Sequence, residues 1–291
     1  MTVGLIDPEG EDFTFCCLEQ SIGCEMANTS SVLGDKYRSH IHGEDEKDTE
    51  WTFGAPPNYD VVNKLFEEGR TKVWEAGSLE ERVQHMVKTW EMEMFNKKKF
   101  EDYKTLDPDN YTFSLNGRKP LTLEEKRRLG GGYNSLLQTS LPQRLRGYDP
   151  AKETMESAHA AFTTAFPRGF ALEVLQVYSG PPSIVFKFRH WGFMEGPFQG
   201  HAPTGEMVEL FGMAVYQVNS CRSVSEKNSI GYCMTERCSC LDQVDEKMKI
   251  VKVEFFYDRG ELLGLLLNGG GGASAENSSL TSSSCPFLKN A

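Results

Sequence analysis

Between Cys24 and Cys221 the chain contains no cysteine at all. That absence excludes a disulfide framework or a thiolate metal site anywhere in the long central stretch. Nor does any segment approach the ~20 uninterrupted apolar residues that a membrane-spanning helix requires. Positive charge is also in short supply: 31 Lys and Arg stand against 42 Asp and Glu, a formal net charge of −11. A broad phosphate-binding surface, and with it a nucleic-acid partner, is excluded on that balance. The basic clusters Lys97-Lys98-Lys99 and Lys126-Arg127-Arg128 lie among acidic residues and read as solvated helix faces. The first residues lack the basic start and apolar core of a secretory leader, with Asp7, Glu9, Glu11 and Asp12 in those positions. The expected location is therefore cytoplasmic, with the eight cysteines as free thiols.

What is present is ordinary globular material, 39% hydrophobic and 25% charged. The cysteines mark three peripheral pieces. Cys16, Cys17 and Cys24 fall in residues 1–35, which have no sustained periodicity and read as a disordered extension. Cys221, Cys233, Cys238 and Cys240 crowd a segment at 219–243 that interrupts a plain hairpin and reads as an insertion. Cys285 lies in a flexible Gly- and Ser-rich tail, 268–291. Residues 36–267 are left as a single domain, opening on an irregular arm, 36–59, laid over the surface.

Within that domain helical signals come first. Val61, Val62, Leu65 and Phe66 form one apolar stripe from Asp60. Ser78, with Glu81 three residues later, is a capping box. Leu79, Val83, Met86, Val87, Trp90 and Met94 then recur at helical spacing to about Asn96. Thr122 to Leu129 is a helix stopped by Gly130-Gly131-Gly132, and Asp149-Pro150 opens another running to Phe166. The glycine triplet has no strand leading into it, so it reads as a helix stop and turn and not as a phosphate cradle.

Strands follow. Tyr111 to Leu115 is a short early one. Beyond Arg168 come 170–178, 184–191, 207–218 and 250–257, the last alternating Val251, Val253, Phe255 and Tyr257 against Lys252, Glu254 and Phe256. Helices followed by consecutive antiparallel strands give an α+β fold with the helices on one face of the sheet.

Few residues stand out as carriers of chemistry. His190 alternates with Ile184, Phe186 and Phe188, so it shares their face, while Lys187, Arg189 and Trp191 point the other way. A histidine on an apolar face is either a hydrogen-bonded core residue or, if the sheet curls around a cavity, part of the lining. Tyr178 ends the preceding strand within reach of such a cavity, and His201 lies in a loop that could form its rim. Asp258 closes the last strand, where capping or a salt bridge is the default role; it and His190 are the candidates for catalytic proton transfer. The cysteine spacings match no zinc arrangement, and no metal or cofactor is expected.

Four runs carry a family resemblance: Ala55 to Phe66, Phe186 to Phe198, Gly200 to Met207 and Lys252 to Leu263. They resemble the plant pathogen-related proteins, a family similar to the SnoaL-like branch of the nuclear-transport-factor-2-like superfamily. The resemblance covers about 36–267 apart from the cysteine-rich segment, and it implies a curved antiparallel sheet wrapped with helices into a cone open to a small molecule. SnoaL-like cyclases use an aspartate on a late strand, and here Phe255 falls about where it would sit, so the resemblance does not bring the cyclase reaction with it. The family implies association with pathogen attack or stress. Three functions remain open: binding of a small apolar metabolite at Tyr178, Phe186, Phe188, His190 and His201; cyclase- or isomerase-type catalysis on a polyketide- or terpenoid-like substrate; and a ligand-free module that dimerises through its sheet.

Overall fold

The computed structural model describes residues 34–219 and 248–268. The extension at 1–35 lies outside these apart from Gly34 and Asp35, the insertion at 219–243 apart from Asn219, and the tail at 268–291 apart from Asn268. The body that contains them is α+β, as the order of elements implies. Six helices are described: α1 (Asp60–Gly69), α2 (Leu79–Asn96), α3 (Leu123–Arg128), α4 (Gly131–Leu136), α5 (Met155–Ala165) and α6 (Arg259–Leu267). Five strands, β1 (Thr112–Leu115), β2 (Ala171–Ser179), β3 (Ser183–Phe193), β4 (Met207–Val218) and β5 (Ile250–Tyr257), form one sheet in the order β1-β5-β4-β3-β2. No helix among the described residues is long and apolar enough to cross a membrane.

The sheet is antiparallel except at one edge, where β1 runs parallel to β5 with Phe113 beside Val253. The wholly antiparallel sheet expected from sequence is corrected on that point. The two strands are far apart in sequence, so nothing local could reveal their pairing. At the opposite edge β2 is not left bare. The Val174 amide donates to Gln84 Oε1 of α2 at 3.2 Å, and the Val174 carbonyl accepts from Trp74 Nε1 at 3.0 Å. Covering an edge in this way removes a template for pairing with other chains.

Helix boundaries follow capping chemistry. Ser78 accepts from the Glu81 amide at 3.2 Å, and Thr122 and Glu125 form a reciprocal capping box at the start of α3. The Gly130 triplet does more than stop α3. Gly130 adopts φ +90°, a left-handed conformation that only glycine holds without strain, and the chain turns straight into α4. The helix placed from Asp149 begins later. Pro150–Lys152 is a single 3-10 turn, and α5 starts after Thr154, which has its own capping box with Ser157.

The main core lies between α2 to α6 and the sheet face that carries Phe186, Phe188, Ala214, Tyr216, Val253 and Phe255. The helices are not confined to that face. Trp191 points oppositely to His190, as alternation requires, and is buried with Ala171 against Leu65 and Phe66 of α1. Arg189, on the same side, donates from Nε to Glu209 at 2.7 Å and from Nη1 to the Gly69 carbonyl at 3.0 Å. The arm is tied down as well as laid over: Thr52 N donates to Asn96 O at 2.7 Å, and Lys98 N to Glu50 O at 2.8 Å. Asp35, assigned from sequence to the extension, accepts from Asn63 Nδ2 of α1 at 2.7 Å.

Candidate functional site

The inner sheet face and the helices do not close completely. Between them lies a cavity of about 610 Å³, walled by α2 to α5, the inner ends of β3 to β5 and residues 53–59 of the arm. Among the described residues eight phenylalanines line it, and the stacked aromatic pairs around it include Tyr133 on Phe162 with ring centroids 4.1 Å apart and Phe53 on His159 at 3.9 Å. Such walls suit a flat, apolar molecule. Gly212 helps shape them. A side chain there would meet the Phe188 ring at 2.4 Å, so the glycine leaves room for that ring.

A few polar groups face this apolar space. His190 lies on the lining, stacked on Phe170 with centroids 5.4 Å apart, and its Nδ1 has no hydrogen-bond partner among the described residues. Burial first, and the charge of Lys88 second, push its pKa down to about 3, so the imidazole is neutral at ordinary pH. Glu91, on the α2 turn that carries Trp90, also lines the cavity. Burial raises its pKa, against the opposing pull of Arg38 and Lys88. Arg38 itself is spread over the Tyr59 ring at 3.7 Å and donates to Asn63 Oδ1 at 2.8 Å. Lys126 of α3 completes the set. It is 4% exposed, and burial alone pulls its pKa down to about 7. The cavity therefore offers a neutral imidazole, a carboxyl that holds its proton more tightly than usual and an amine that gives its proton up easily. These are the ingredients of hydrogen-bond recognition and of proton transfer.

Of the residues singled out from sequence, Phe188 and His190 line the cavity. The other four do not, and each is occupied elsewhere. Tyr178 is 52% exposed near the end of β2, because strand register carries it past the enclosed region. Phe186 is fully buried, packed on Tyr216 with centroids 5.3 Å apart. His201 is in a tight turn, its backbone exchanging hydrogen bonds with Phe198 at 3.0 and 2.8 Å. Asp258 caps α6, accepting from the Gly260 and Glu261 amides at 2.7 and 3.1 Å. It acts as the cap that is the default reading, and it is not among the residues that line the cavity.

The residues that sequence reasoning passed over carried a signal. Glu91 stands four residues after Val87 and four before Phe95, inside the apolar stripe of α2. Lys126 stands three residues from both Leu123 and Leu129, on the buried side of α3, so the solvated face assigned to its cluster is corrected at this residue. Lys97 needs the same correction: it is 2% exposed. As for metals, among the described residues His40, Asp45 and Glu46 bring ligand atoms within 4.8 Å of one another; Glu46 Oε2 is 2.8 Å from Lys97 Nζ, and its Oε1 is 3.8 Å from His40 Nδ1.

A mixed sheet with helices packed on both faces, enclosing on one of them an aromatic cavity with a few inward polar groups, defines an α+β protein of the pocket-forming kind. A barley protein, the pathogen-related protein of Hordeum vulgare, is 51% identical over 260 residues, covering 89% of this chain and 97% of that one. The chain belongs to the pathogen-related protein family. No family model matches it. Solved structures similar to it include a chain from Jannaschia assigned as a SnoaL-like polyketide cyclase (14% identity, 58% of this chain and 76% of that one, TM-score 0.28). Another is IdmH from Streptomyces antibioticus, assigned as a polyketide cyclase (13% identity, 58% and 86%, TM-score 0.31). At this level the likeness identifies no chemistry.

Proposed function

We propose that this chain binds a small, largely apolar metabolite in its cavity, acting in the cytoplasm in the response to pathogens or stress that its barley relative's name indicates. The observation that carries the reading is the cavity itself, a space of about 610 Å³ with aromatic walls and isolated polar anchors. His190, neutral and with a free Nδ1, is one anchor. Native mass spectrometry of the protein from its own source, followed by calorimetric titration of whatever accompanies it, tests this. His190→Ala should weaken binding by about 1–2 kcal/mol, one hydrogen bond to a neutral partner. Lys187→Ala, on the exposed opposite face, should leave affinity unchanged. Equal losses from both variants would remove the cavity from the argument.

A second reading, an isomerase- or cyclase-type enzyme, is favoured by Glu91: a carboxyl in the cavity whose burial raises its pKa is suited to passing a proton to and from a bound carbon skeleton. Glu91→Gln would then abolish turnover while keeping most of the affinity. Pairing of two copies through the outer sheet face has Phe211 and Phe256 exposed there in its favour, but Lys187 shares that face, across Met213 from Phe256 and with its Nζ 5.9 Å from the Phe211 ring centroid.

A further inference from the structure

Among the described residues three lysines are almost wholly withdrawn from solvent, and their surroundings differ. Lys97 meets carboxylates, with Nζ 2.8 Å from Glu46 and 3.2 Å from Glu93. Lys88 lies against rings, its Nζ 3.2 Å from the Phe66 centroid and 4.8 Å from that of Tyr37. Lys126 has no carboxylate partner, and its ring contacts are longer than that of Lys88 with Phe66: Nζ stands 5.2 Å from the Phe113 centroid and 5.8 Å from that of Trp90. Of the three, it is the one that lines the cavity.

We propose that Lys126 is a nucleophilic amine that captures the carbonyl carbon of an apolar aldehyde or ketone held in the cavity, forming an imine. This rests on the reading that the cavity admits a small molecule. An ammonium with no counter-charge in an aromatic enclosure is destabilised relative to the free amine, and the free amine is the form that attacks carbonyls. With its pKa pulled down to about 7, Lys126 is substantially neutral at neutral pH, where an ordinary lysine is almost entirely ammonium. In the reaction the nitrogen lone pair forms the C–N bond as the carbonyl π pair moves onto oxygen, which takes up a proton. Loss of that oxygen as water, together with the remaining N–H proton, leaves the C=N bond. Nothing is oxidised or reduced. The aromatic walls supply affinity for the rest of the molecule.

The test uses the full chain with 2-naphthaldehyde at neutral pH and sodium cyanoborohydride to reduce any imine to a stable secondary amine, read by intact mass and peptide mapping. The expected result is one dominant adduct on Lys126, formed about ten-fold or more faster than on any other lysine and absent in Lys126→Met. Labelling spread evenly over surface lysines, or an unchanged rate in Lys126→Met, would overturn the proposal. Lys126→Met replaces an unpaired buried amine with an apolar side chain of similar length, so it should fold at least as well as the parent. 2-Naphthalenemethanol, the same skeleton without the carbonyl, separates the two readings by calorimetry. Binding of the alcohol to parent and Lys126→Met alike, with no Lys126 adduct from the aldehyde, would overturn the imine and leave the pocket standing. Failure of the alcohol to bind either protein would overturn both.

Discussion

Glu91 and Glu93 are two residues apart on α2, which puts them on roughly opposite sides of the helix. Glu93 looks under the arm and is fully satisfied. It accepts from the Lys104 and Thr105 amides at 2.7 and 2.9 Å, from the Thr105 hydroxyl, and from Lys97 Nζ at 3.2 Å. Glu91 looks into the cavity, where burial raises its pKa. The same contrast separates Lys97, held between two carboxylates, from Lys126, held by none. A buried charge with a full set of partners organises the chain around it. A buried charge without them lowers stability, and groups of that kind cluster at functional sites.

The sharpest way to break this comparison is at Glu93. Glu93→Leu takes one of two carboxylates from a fully buried ammonium and leaves the Lys104 and Thr105 amides without their acceptor, and should cost about 3–5 kcal/mol, the scale for removing one partner of a buried pair. Adding Lys97→Met should not recover that loss, because it leaves the buried Glu46 carboxylate without its cation. Urea denaturation of the two variants measures both. A loss under about 1 kcal/mol in the single variant would mean that the network under the arm is not what holds α2 to it.

Lys126 should respond in the opposite direction. Its folded pKa of about 7 lies below the ~10.4 of an unfolded lysine, so between those values the unfolded chain binds more protons and stability rises with pH. The penalty is complete below about pH 7 and gone above about pH 10, the two pKa values that bound it. Lys126→Met should therefore be more stable than the parent by something on the order of 4 kcal/mol at neutral pH, with the difference closing as pH approaches 10. His190 adds a comparable penalty only below its ordinary pKa of about 6.5, so measurements above that value isolate the lysine. The buried tyrosines, whose pKa values burial raises, act above about pH 10 and cancel between the two proteins. A pH-independent difference would show that Lys126 is charged in the folded state and that its amine is not available.

How much of this was legible in the sequence divides along the same line. Elements whose signal is local were readable: α2 from its stripe and Ser78, and β4 and β5 from alternation, with ends matching at 207–218 and 250–257. The parallel β1–β5 pair was not, since it joins Thr112–Leu115 to residues far down the chain. Nor was α6, whose Leu-rich run is apolar nearly all round and presents no stripe. At the site, Phe188 and His190 were found because they share a strand face with core residues. Phe186 and Tyr178 satisfied the same rule and lie outside the cavity, because alternation selects a face and not a position along it. Glu91 and Lys126 were passed over because charge was taken to mean exposure. Their places within apolar stripes argued otherwise.

Asp258 sharpens the comparison with the smallest expected effect. Sequence offered it as a proton carrier beside His190, yet its Oδ1 is taken by two amides at the start of α6. A satisfied polar group of this kind should cost stability when removed and nothing in binding, the reverse of Lys126. Asp258→Ala should lower stability by about 1 kcal/mol, the usual worth of an N-cap, and Asp258→Asn, which caps nearly as well, by much less. Neither should change the affinity of the cavity for 2-naphthalenemethanol by a measurable factor. Leu262, one turn into α6, lines the cavity, so the Ala variant carries one risk: fraying of that turn could loosen the wall. The Asn variant removes the risk, because it keeps the cap and loses only the charge. If Asp258→Asn keeps its stability but loses binding or turnover, the carboxylate acts on the ligand, and satisfied groups and functional groups are not separate sets in this fold.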